Sequence, residues 1–218
     1  MSGKILIMTA VEAEKEAVLR GLRGNPLCEV QAAGVGPAAA AASTALALAG
    51  KAGDYGLVVS AGIAGGFAGA APVGSIVVAS EAVAADLGAE TPEGFAGVDK
   101  LGFGTNRLKA DARIASRLLE ALGDAGIPAS LGPVLTLSTV TGSAATADAL
   151  AARVPGAAAE AMEGYGVAEA ASRFGIPFIE IRAISNAVGP RDRAAWRIGD
   201  ALAALEAAST YLTEVISS

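Results

Sequence analysis

Six short apolar runs alternate along the chain with longer stretches of helical periodicity, and this alternation limits the fold more than any other feature. The runs are typical of strands that are apolar on both faces, and they cover residues 4–9, 29–33, 56–60, 75–80, 133–137 and 177–184. The helical patterns cover residues 12–22, 37–49, 111–122, 144–153, 163–174 and 194–216. Strands buried on both faces and separated by helices form mainly parallel sheets. The chain is therefore predicted to be one α/β domain across residues 1–218, with a central twisted, mixed but mainly parallel sheet flanked by helices.

Charge and cysteine content exclude several classes of function. The net charge is -6, there is no histidine, and Cys28 is the single cysteine. An acidic chain is a poor partner for nucleic acid, and one cysteine supports neither an internal disulfide nor a four-ligand zinc site. The first apolar run is followed by three glutamates, unlike a signal peptide, and no apolar stretch of 18 or more residues is free of both charges and glycine-rich interruptions. We expect a cytoplasmic protein with no metal, cofactor, nucleic-acid or membrane partner.

The segments that follow the strands are the candidates for a functional site, because sites of parallel sheets gather at the carboxyl ends of strands. The glycine-rich segment Ser60 to Phe67 follows a strand, and glycine lets a backbone approach a ligand closely. It leads into another strand and not into a helix, which argues against a dinucleotide site; a tight turn without ligand is the alternative. Residues 86–108 lack periodicity and are predicted to form a long loop over a site or at an oligomer contact.

Two acidic residues stand near helix starts, where the helix dipole favours negative charge. Taken alone, Glu14 and Glu163 are ordinary helix-start acids. The strand-like run 177–184, however, carries Glu180 and Arg182, and charges inside a buried run need partners. Glu14 and Glu163 are candidate partners of Arg182 at the same edge of the sheet.

Four segments resemble, in their order and spacing, the nucleoside phosphorylase superfamily. They are AVEAE at 10–14, SAGIAGGF at 60–67, AMEG at 161–164 and IRAISN at 181–186. Within the superfamily the chain is similar to the nucleosidase branch, which holds the methylthioadenosine/S-adenosylhomocysteine nucleosidases and the futalosine hydrolases. The resemblance implies an enzyme that hydrolyses the bond between a purine and its sugar, and at least a homodimer.

The resemblance also implies roles for single residues. Glu14 looks like the carboxylate that orients and deprotonates the attacking water, with Arg182 nearby, while Met162 and Glu163 resemble the pair at the ribose hydroxyls. A carboxylate in this first loop disfavours phosphate, so hydrolysis is favoured over phosphorolysis. The edge of the purine is expected to meet the backbone at four residues, Ala64, Gly65, Val140 and Thr141.

One departure from the branch bears on the base that is released. The adenine-cleaving members have an aspartate where this chain has Asn186. Adenine presents an N7 acceptor and an N6 donor, whereas a 6-oxopurine presents two acceptors, N7 and O6. An asparagine amide carries two N–H donors, which favours hypoxanthine or guanine, although a neutral amide is a poor proton donor to N7. The alternative is that Asn186 only caps a helix or a turn.

The substrate that the resemblance then implies is futalosine, an inosine-like nucleoside with a carboxyphenyl ketone, cleaved to hypoxanthine on a route to menaquinone. Trp196 is a candidate to stack on the aryl ring, and Arg197, Arg191 or Arg193 to pair with the carboxylate. A solvated basic turn with one packed tryptophan is the alternative for this segment. For the whole chain the alternatives are a methylthioadenosine/S-adenosylhomocysteine nucleosidase and a non-catalytic nucleoside-binding protein of the same fold.

Overall fold

A computed structural model of the protein describes residues 3–214. Its strands are β1 (Lys4–Thr9), β2 (Cys28–Ala32), β3 (Tyr55–Gly66), β4 (Ile76–Ala84), β5 (Gly88–Thr91), β6 (Gly94–Gly97), β7 (Arg107–Lys109), β8 (Ala129–Thr136), β9 (Ala159–Ala161) and β10 (Phe178–Ala187). Its helices are α1 (Glu12–Leu22), α2 (Pro37–Leu48), α3 (Ala112–Asp124), α4 (Ala144–Arg153), α5 (Gly164–Arg173) and α6 (Ile198–Ser209). Within residues 3–214 no helix has both the length and the apolar character that crossing a membrane requires.

Eight of the strands form one sheet in the order β10-β4-β8-β9-β3-β1-β2, with β7 beside β4. Because β10 also pairs with β3, the strands β3, β10, β4, β8 and β9 close into a ring. The β1–β2, β1–β3, β3–β10, β4–β8 and β8–β9 pairs are parallel, and the β4–β10, β3–β9 and β4–β7 pairs are antiparallel. The predicted α/β architecture, with a mixed and mainly parallel sheet flanked by helices, is confirmed.

Strand β1 shows why the apolar runs form buried strands. Side chains alternate across a strand, so Ile5 and Ile7 enter one core cluster with α1, α3 and α6, while Leu6 and Met8 enter another with α2 and α5. All four side chains are almost fully buried. A strand that is covered on both faces needs apolar residues at every position, which is the pattern in the sequence.

The glycine-rich segment after residue 60 is not a loop, as the sequence indicated, but the second half of β3. Glycine serves close packing there. A Cβ on Gly66 would overlap the carbonyl oxygen of Ala71, and one on Gly65 would lie 2.9 Å from Cγ2 of Val188. The strand was predicted to end at Ser60, which was wrong, because glycine is depleted from strands in general and is retained here for the approach of neighbouring groups.

Two further predictions need correction. Residues 86–108 do not form one long loop, because β5 and β6 pair as a hairpin through a turn at Pro92 and Glu93, and β7 pairs with β4. The last helix begins at Ile198 and not at Ala194, because Ala194 lies in a 3-10 turn capped by Asp192. The final residues of that predicted helix, 215–216, lie outside the described residues.

Candidate active site

A cavity of about 240 Å³ opens where the carboxyl ends of β1, β3 and β10 meet β9. It collects most of the residues that the sequence singled out, although they come from separate parts of the chain. Those that line it are Glu14, Ala64, Gly65, Val140, Thr141, Met162, Glu163, Asn186 and Trp196. Arg182 and Arg197 are not among the lining residues.

Glu14 lies in the first turn of α1, directly after β1, and is 4% exposed. Its Oε2 accepts hydrogen bonds from the backbone N–H groups of Ala10 (2.8 Å) and Val11 (3.2 Å), and its Oε1 accepts one from Ile63 (2.9 Å). A carboxylate offers about four lone-pair sites. Three backbone donors therefore hold the carboxylate in one orientation and leave one site, on Oε1, for a ligand.

Arg182 lies in β10 behind the cavity and is 1% exposed. Its Nε donates to Glu180 (2.8 Å), its Nη1 to Glu163 (3.3 Å) and its Nη2 to the hydroxyl of Ser60 (3.0 Å). Burial alone would lower the pKa of Arg182, but Glu180, Glu163 and Glu14 together raise it. Its ion pairs within residues 3–214 are with Glu163, which was a predicted partner, and with Glu180; Glu14, the other predicted partner, is not among them.

Glu163 lies at the N-cap of α5 and, like Glu14, accepts three hydrogen bonds. Gly36 donates its backbone N–H to Oε1 at 3.2 Å, while Oε2 accepts from the N–H of Met162 at 3.3 Å and from Arg182. The side chain is 6% exposed and lines the cavity. Arg182 thus holds Glu163 from behind, and Glu163 is the one of the two that lines the cavity.

Sequence reasoning missed Gly62, which lies between Glu14 and Arg182. Gly62 is paired in register with Arg182 on β10. A Cβ on Gly62 would lie 2.6 Å from Oε1 of Glu14 and 2.7 Å from Nη1 of Arg182. No side chain fits there without moving both charged groups, so this glycine is a requirement of the site.

Asn186 lies near the end of β10 and lines the cavity. Its Oδ1 accepts a hydrogen bond from the hydroxyl of Ser185 (2.8 Å), and its Nδ2 donates to the carbonyl oxygen of Ala187 (3.0 Å). The amide is therefore held by its chain neighbours and its outer part lines the cavity. This local bonding includes no helix cap.

Glu160 is a second lining residue that sequence reasoning missed. It lies in the middle of β9, is 6% exposed, and accepts hydrogen bonds from Thr141, one from the backbone N–H (2.7 Å) and one from the hydroxyl. Burial raises the pKa of Glu160, while the bonds from Thr141 lower it by less. The only signal in the sequence was a single charge inside the apolar segment 157–162.

The basic segment after β10 places its arginines unequally. Trp196 is half-buried and lines the cavity, and the guanidinium carbon of Arg191 lies 5.8 Å from the centre of its ring. Arg197 is exposed and pairs with Asp200, with 2.6 Å between Nη2 and Oδ2. Arg197, which was expected to contact the substrate, therefore lies outside the cavity lining. Arg191 lies beside the ring of Trp196 instead.

Comparison with known proteins gives a consistent result. Residues 11–218 match the family model described as the phosphorylase superfamily. The chain is 54% identical to the futalosine hydrolase of Streptomyces coelicolor, over 98% of this chain and 97% of that protein. It is 48% identical to the futalosine hydrolase of Acidothermus cellulolyticus, over 97% of this chain and 91% of that protein.

A solved structure shows the same fold at lower sequence similarity. The methylthioadenosine/S-adenosylhomocysteine nucleosidase of Neisseria meningitidis, in complex with methylthio-immucillin-A, superposes with a TM-score of 0.80 at 20% identity. The superposition covers 98% of both chains. The chain therefore belongs to the phosphorylase superfamily and, within it, to the futalosine hydrolase family.

Proposed function

We propose that this enzyme hydrolyses the N-glycosidic bond of futalosine and releases hypoxanthine and dehypoxanthine futalosine, a step in menaquinone biosynthesis. The observation that carries the proposal is the 54% identity, over nearly the whole of both chains, to a protein named futalosine hydrolase. The geometry of the cavity supports it, because two anchored carboxylates, Glu14 and Glu163, line the same cavity.

Glu14 is assigned the role of general base. Its one unoccupied lone-pair site, on Oε1, is where a water molecule would donate a proton. Three backbone donors keep the carboxylate in place during the reaction, which lowers the cost of orienting the water. A positioned base contributes about 10²- to 10⁴-fold to the rate.

Glu163 is assigned to the sugar hydroxyls, with Met162 beside it. As the glycosidic bond stretches, positive charge develops on the sugar, and a nearby carboxylate then stabilises the transition state more than the ground state. Arg182 is a positioning residue in this scheme, since it holds Glu163 from behind. We call Glu14, Met162 and Glu163 the sugar side of the cavity.

Water is favoured over phosphate as the nucleophile by the charges of the cavity. Within the described residues the lining contains three glutamates and no lysine or arginine. The nearest buried cation, Arg182, already donates to Glu180, Glu163 and Ser60. A phosphate dianion in this space would face repulsion without a cation to offset it, so we infer hydrolysis and not phosphorolysis.

The purine is assigned to the opposite part of the cavity, which we call the base side: Ala64, Gly65, Val140, Thr141, Glu160 and Asn186. The 5′ substituent is assigned to Trp196, whose ring is available to stack on an aryl group. Arg191, beside that ring, is the arginine best placed to meet a substrate carboxylate. Arg197 already has a carboxylate partner in Asp200.

The test is a direct assay of the purified protein with futalosine and, separately, with methylthioadenosine. The expected result is hypoxanthine release from futalosine and no adenine release from methylthioadenosine. Adenine release without hypoxanthine release would overturn the proposal in favour of the nucleosidases of the same branch. Binding of futalosine without release of any base would indicate a nucleoside-binding protein.

We also propose that the enzyme works in the cytoplasm as a homodimer or larger homo-oligomer. Two large apolar side chains outside the cavity lining, Leu46 (77%) and Phe103 (81%), are mostly exposed, and association would remove them from water. Phe103 lies in the segment 86–108, which the sequence predicted to lie over a site or at an oligomer contact. Sedimentation analysis of the purified protein tests this proposal, and a monomer at micromolar concentration would contradict it.

A further inference from the structure

Glu160 is a buried carboxylate in the cavity lining, and cleavage of the glycosidic bond by Glu14 and Glu163 does not require it. Its two hydrogen bonds both come from Thr141, which leaves about two of its lone-pair sites without a donor. None of the ion pairs found within residues 3–214 includes Glu160. A buried anion without a cation is costly unless something donates to it, so its free lone pairs indicate a donor on the ligand.

The register of the sheet places Glu160 opposite Asn186. Gly65 on β3 pairs with Glu160 on β9 at one side and with Asn186 on β10 at the other. Residues paired across strands present their side chains on the same face, so Glu160 and Asn186 flank Gly65 at two strand spacings, or about 9–10 Å between backbones.

Gly65 packs closely against the Asn186 side of this arrangement. A Cβ at this position would lie 2.9 Å from Cγ2 of Val188 and 3.2 Å from Nδ2 of Asn186. Asn186 and Glu160 both line the cavity. A purine held between them would therefore meet an amide at one edge and a carboxylate at another.

Asn186 does not by itself choose between purines. Its Nδ2 already donates one N–H to the carbonyl oxygen of Ala187, and the remaining N–H can donate to N7, which is an acceptor in both kinds of purine. An ionised carboxylate discriminates at N1, because it only accepts hydrogen bonds. A 6-oxopurine carries an N–H group at N1, whereas adenine has a lone pair there, which a carboxylate repels.

We propose that Glu160 accepts a hydrogen bond from N1–H of the departing 6-oxopurine and is the residue that selects this base over adenine. The inference deepens the proposed function and rests on it for the identity of the base. Thr141 positions Glu160, since both of its donors hold the carboxylate. Burial, which raises the pKa of Glu160, is offset in the complex by the donor that the base supplies.

The first test needs no variant and no turnover. Hypoxanthine, 1-methylhypoxanthine and adenine are titrated into the wild-type protein by calorimetry. Loss of the N1–H donor is expected to weaken binding by about 10- to 150-fold, the range for a hydrogen bond to a charged group. Equal affinity for the three bases would overturn the inference.

The second test compares Glu160→Gln with the matched control Glu90→Gln, an exposed glutamate on β5. The readout is the ratio of kcat/KM for futalosine to that for its 6-amino analogue, with circular dichroism to verify folding. Glutamine can donate to N1 of adenine, so the ratio should fall by about 10- to 150-fold in Glu160→Gln and stay unchanged in the control.

The two proposals fail in different ways. If the wild type releases no hypoxanthine from futalosine, the proposed function fails, and the calorimetric titration still decides the role of Glu160. If the wild type releases hypoxanthine but a folded Glu160→Gln variant keeps the wild-type ratio, only the role of Glu160 is overturned.

Discussion

The sugar side and the base side of the cavity are built in different ways. On the sugar side Glu14 and Glu163 accept three hydrogen bonds each, and one of the donors to Glu163 is the almost fully buried Arg182. On the base side Asn186 bonds to its chain neighbours, and Glu160 is held by Thr141 alone. The carboxylates assigned to bond cleavage are thus held by several parts of the chain, whereas the side chains assigned to the choice of base are held by few contacts.

The sharpest way to break the sugar side is Glu14→Gln. A glutamine keeps the shape but cannot take a proton from water, so kcat is expected to fall by about 10²- to 10⁴-fold with little change in the binding of futalosine. Single-turnover hypoxanthine release and calorimetric binding measure the two quantities.

Glu16→Gln is the matched control for this change, because Glu16 is exposed on the same helix. Wild-type turnover in a folded Glu14→Gln variant would contradict the role of Glu14 as base.

The second prediction concerns Gly62→Ala, which disturbs the sugar side without removing a functional group. The new Cβ would press on Oε1 of Glu14 and Nη1 of Arg182, and displacement of catalytic groups by about 1 Å can cost about 10²-fold in rate. We expect a loss of that order in kcat/KM, with preference between bases unchanged.

Gly123→Ala serves as control, since a Cβ at Gly123 meets nothing within 4 Å. If Gly62→Ala instead altered the preference for a base and spared kcat, the division between the two sides would be wrong.

The third prediction addresses the base side through Asn186→Asp. A second carboxylate there repels N7 and O6, so hypoxanthine release should fall by about 10- to 150-fold without any gain of adenine release, because Glu160 still faces N1. The double variant with Glu160→Gln should gain adenine release from the 6-amino analogue.

Asn25→Asp, in the turn before β2, is the control, as its Oδ1 acceptor for Leu27 is kept. Adenine release by the single Asn186→Asp variant would show that Asn186 alone selects the base.

The smallest expected effect is on stability. Burial raises the pKa of Glu160 in the folded protein, so its protonated form favours folding at low pH, and this contribution is lost as pH rises through the folded pKa. Glu160→Gln does not titrate, and it should unfold at a temperature higher by roughly 2–4 °C at neutral pH, the response of a domain of this size to about 1 kcal/mol.

The gain in unfolding temperature should shrink as the pH falls toward the ordinary pKa of a glutamate. Thermal melts between about pH 4 and pH 8 measure this change. A Glu160→Gln variant less stable than the wild type at neutral pH would contradict this sign.

Much of the fold could be predicted because local patterns and tertiary structure agree. In β1 and α1 the apolar run, the charge cluster and the helix period all point to the elements that form. In β3 they conflict, since Gly62, Gly65 and Gly66 look like a turn and are required by atoms far away in the chain. Strand β9 has three residues, and only its partners β3 and β8 make it a strand.

The same division applies to the site. The positions of Glu14, Glu163 and Asn186 at the cavity could be predicted because the segments that hold them resemble the nucleosidase branch. The position of Glu160 could not be predicted, because its alanine-rich segment gives no signal of strand register. The register is what places Glu160 across Gly65 from Asn186. Arg197 was singled out by its neighbours in sequence, but its side chain turns to Asp200.

The single unoccupied lone pair on Oε1 of Glu14 has a stereochemical consequence. In the proposed mechanism a water held at this one point attacks the anomeric carbon on the face opposite the base, so the configuration at that carbon would invert. A nucleoside with a β-glycosidic bond then yields the sugar first as its α-anomer, which equilibrates with the β-anomer only after release. Proton NMR spectra recorded within the first turnovers should contain the α-anomer in excess.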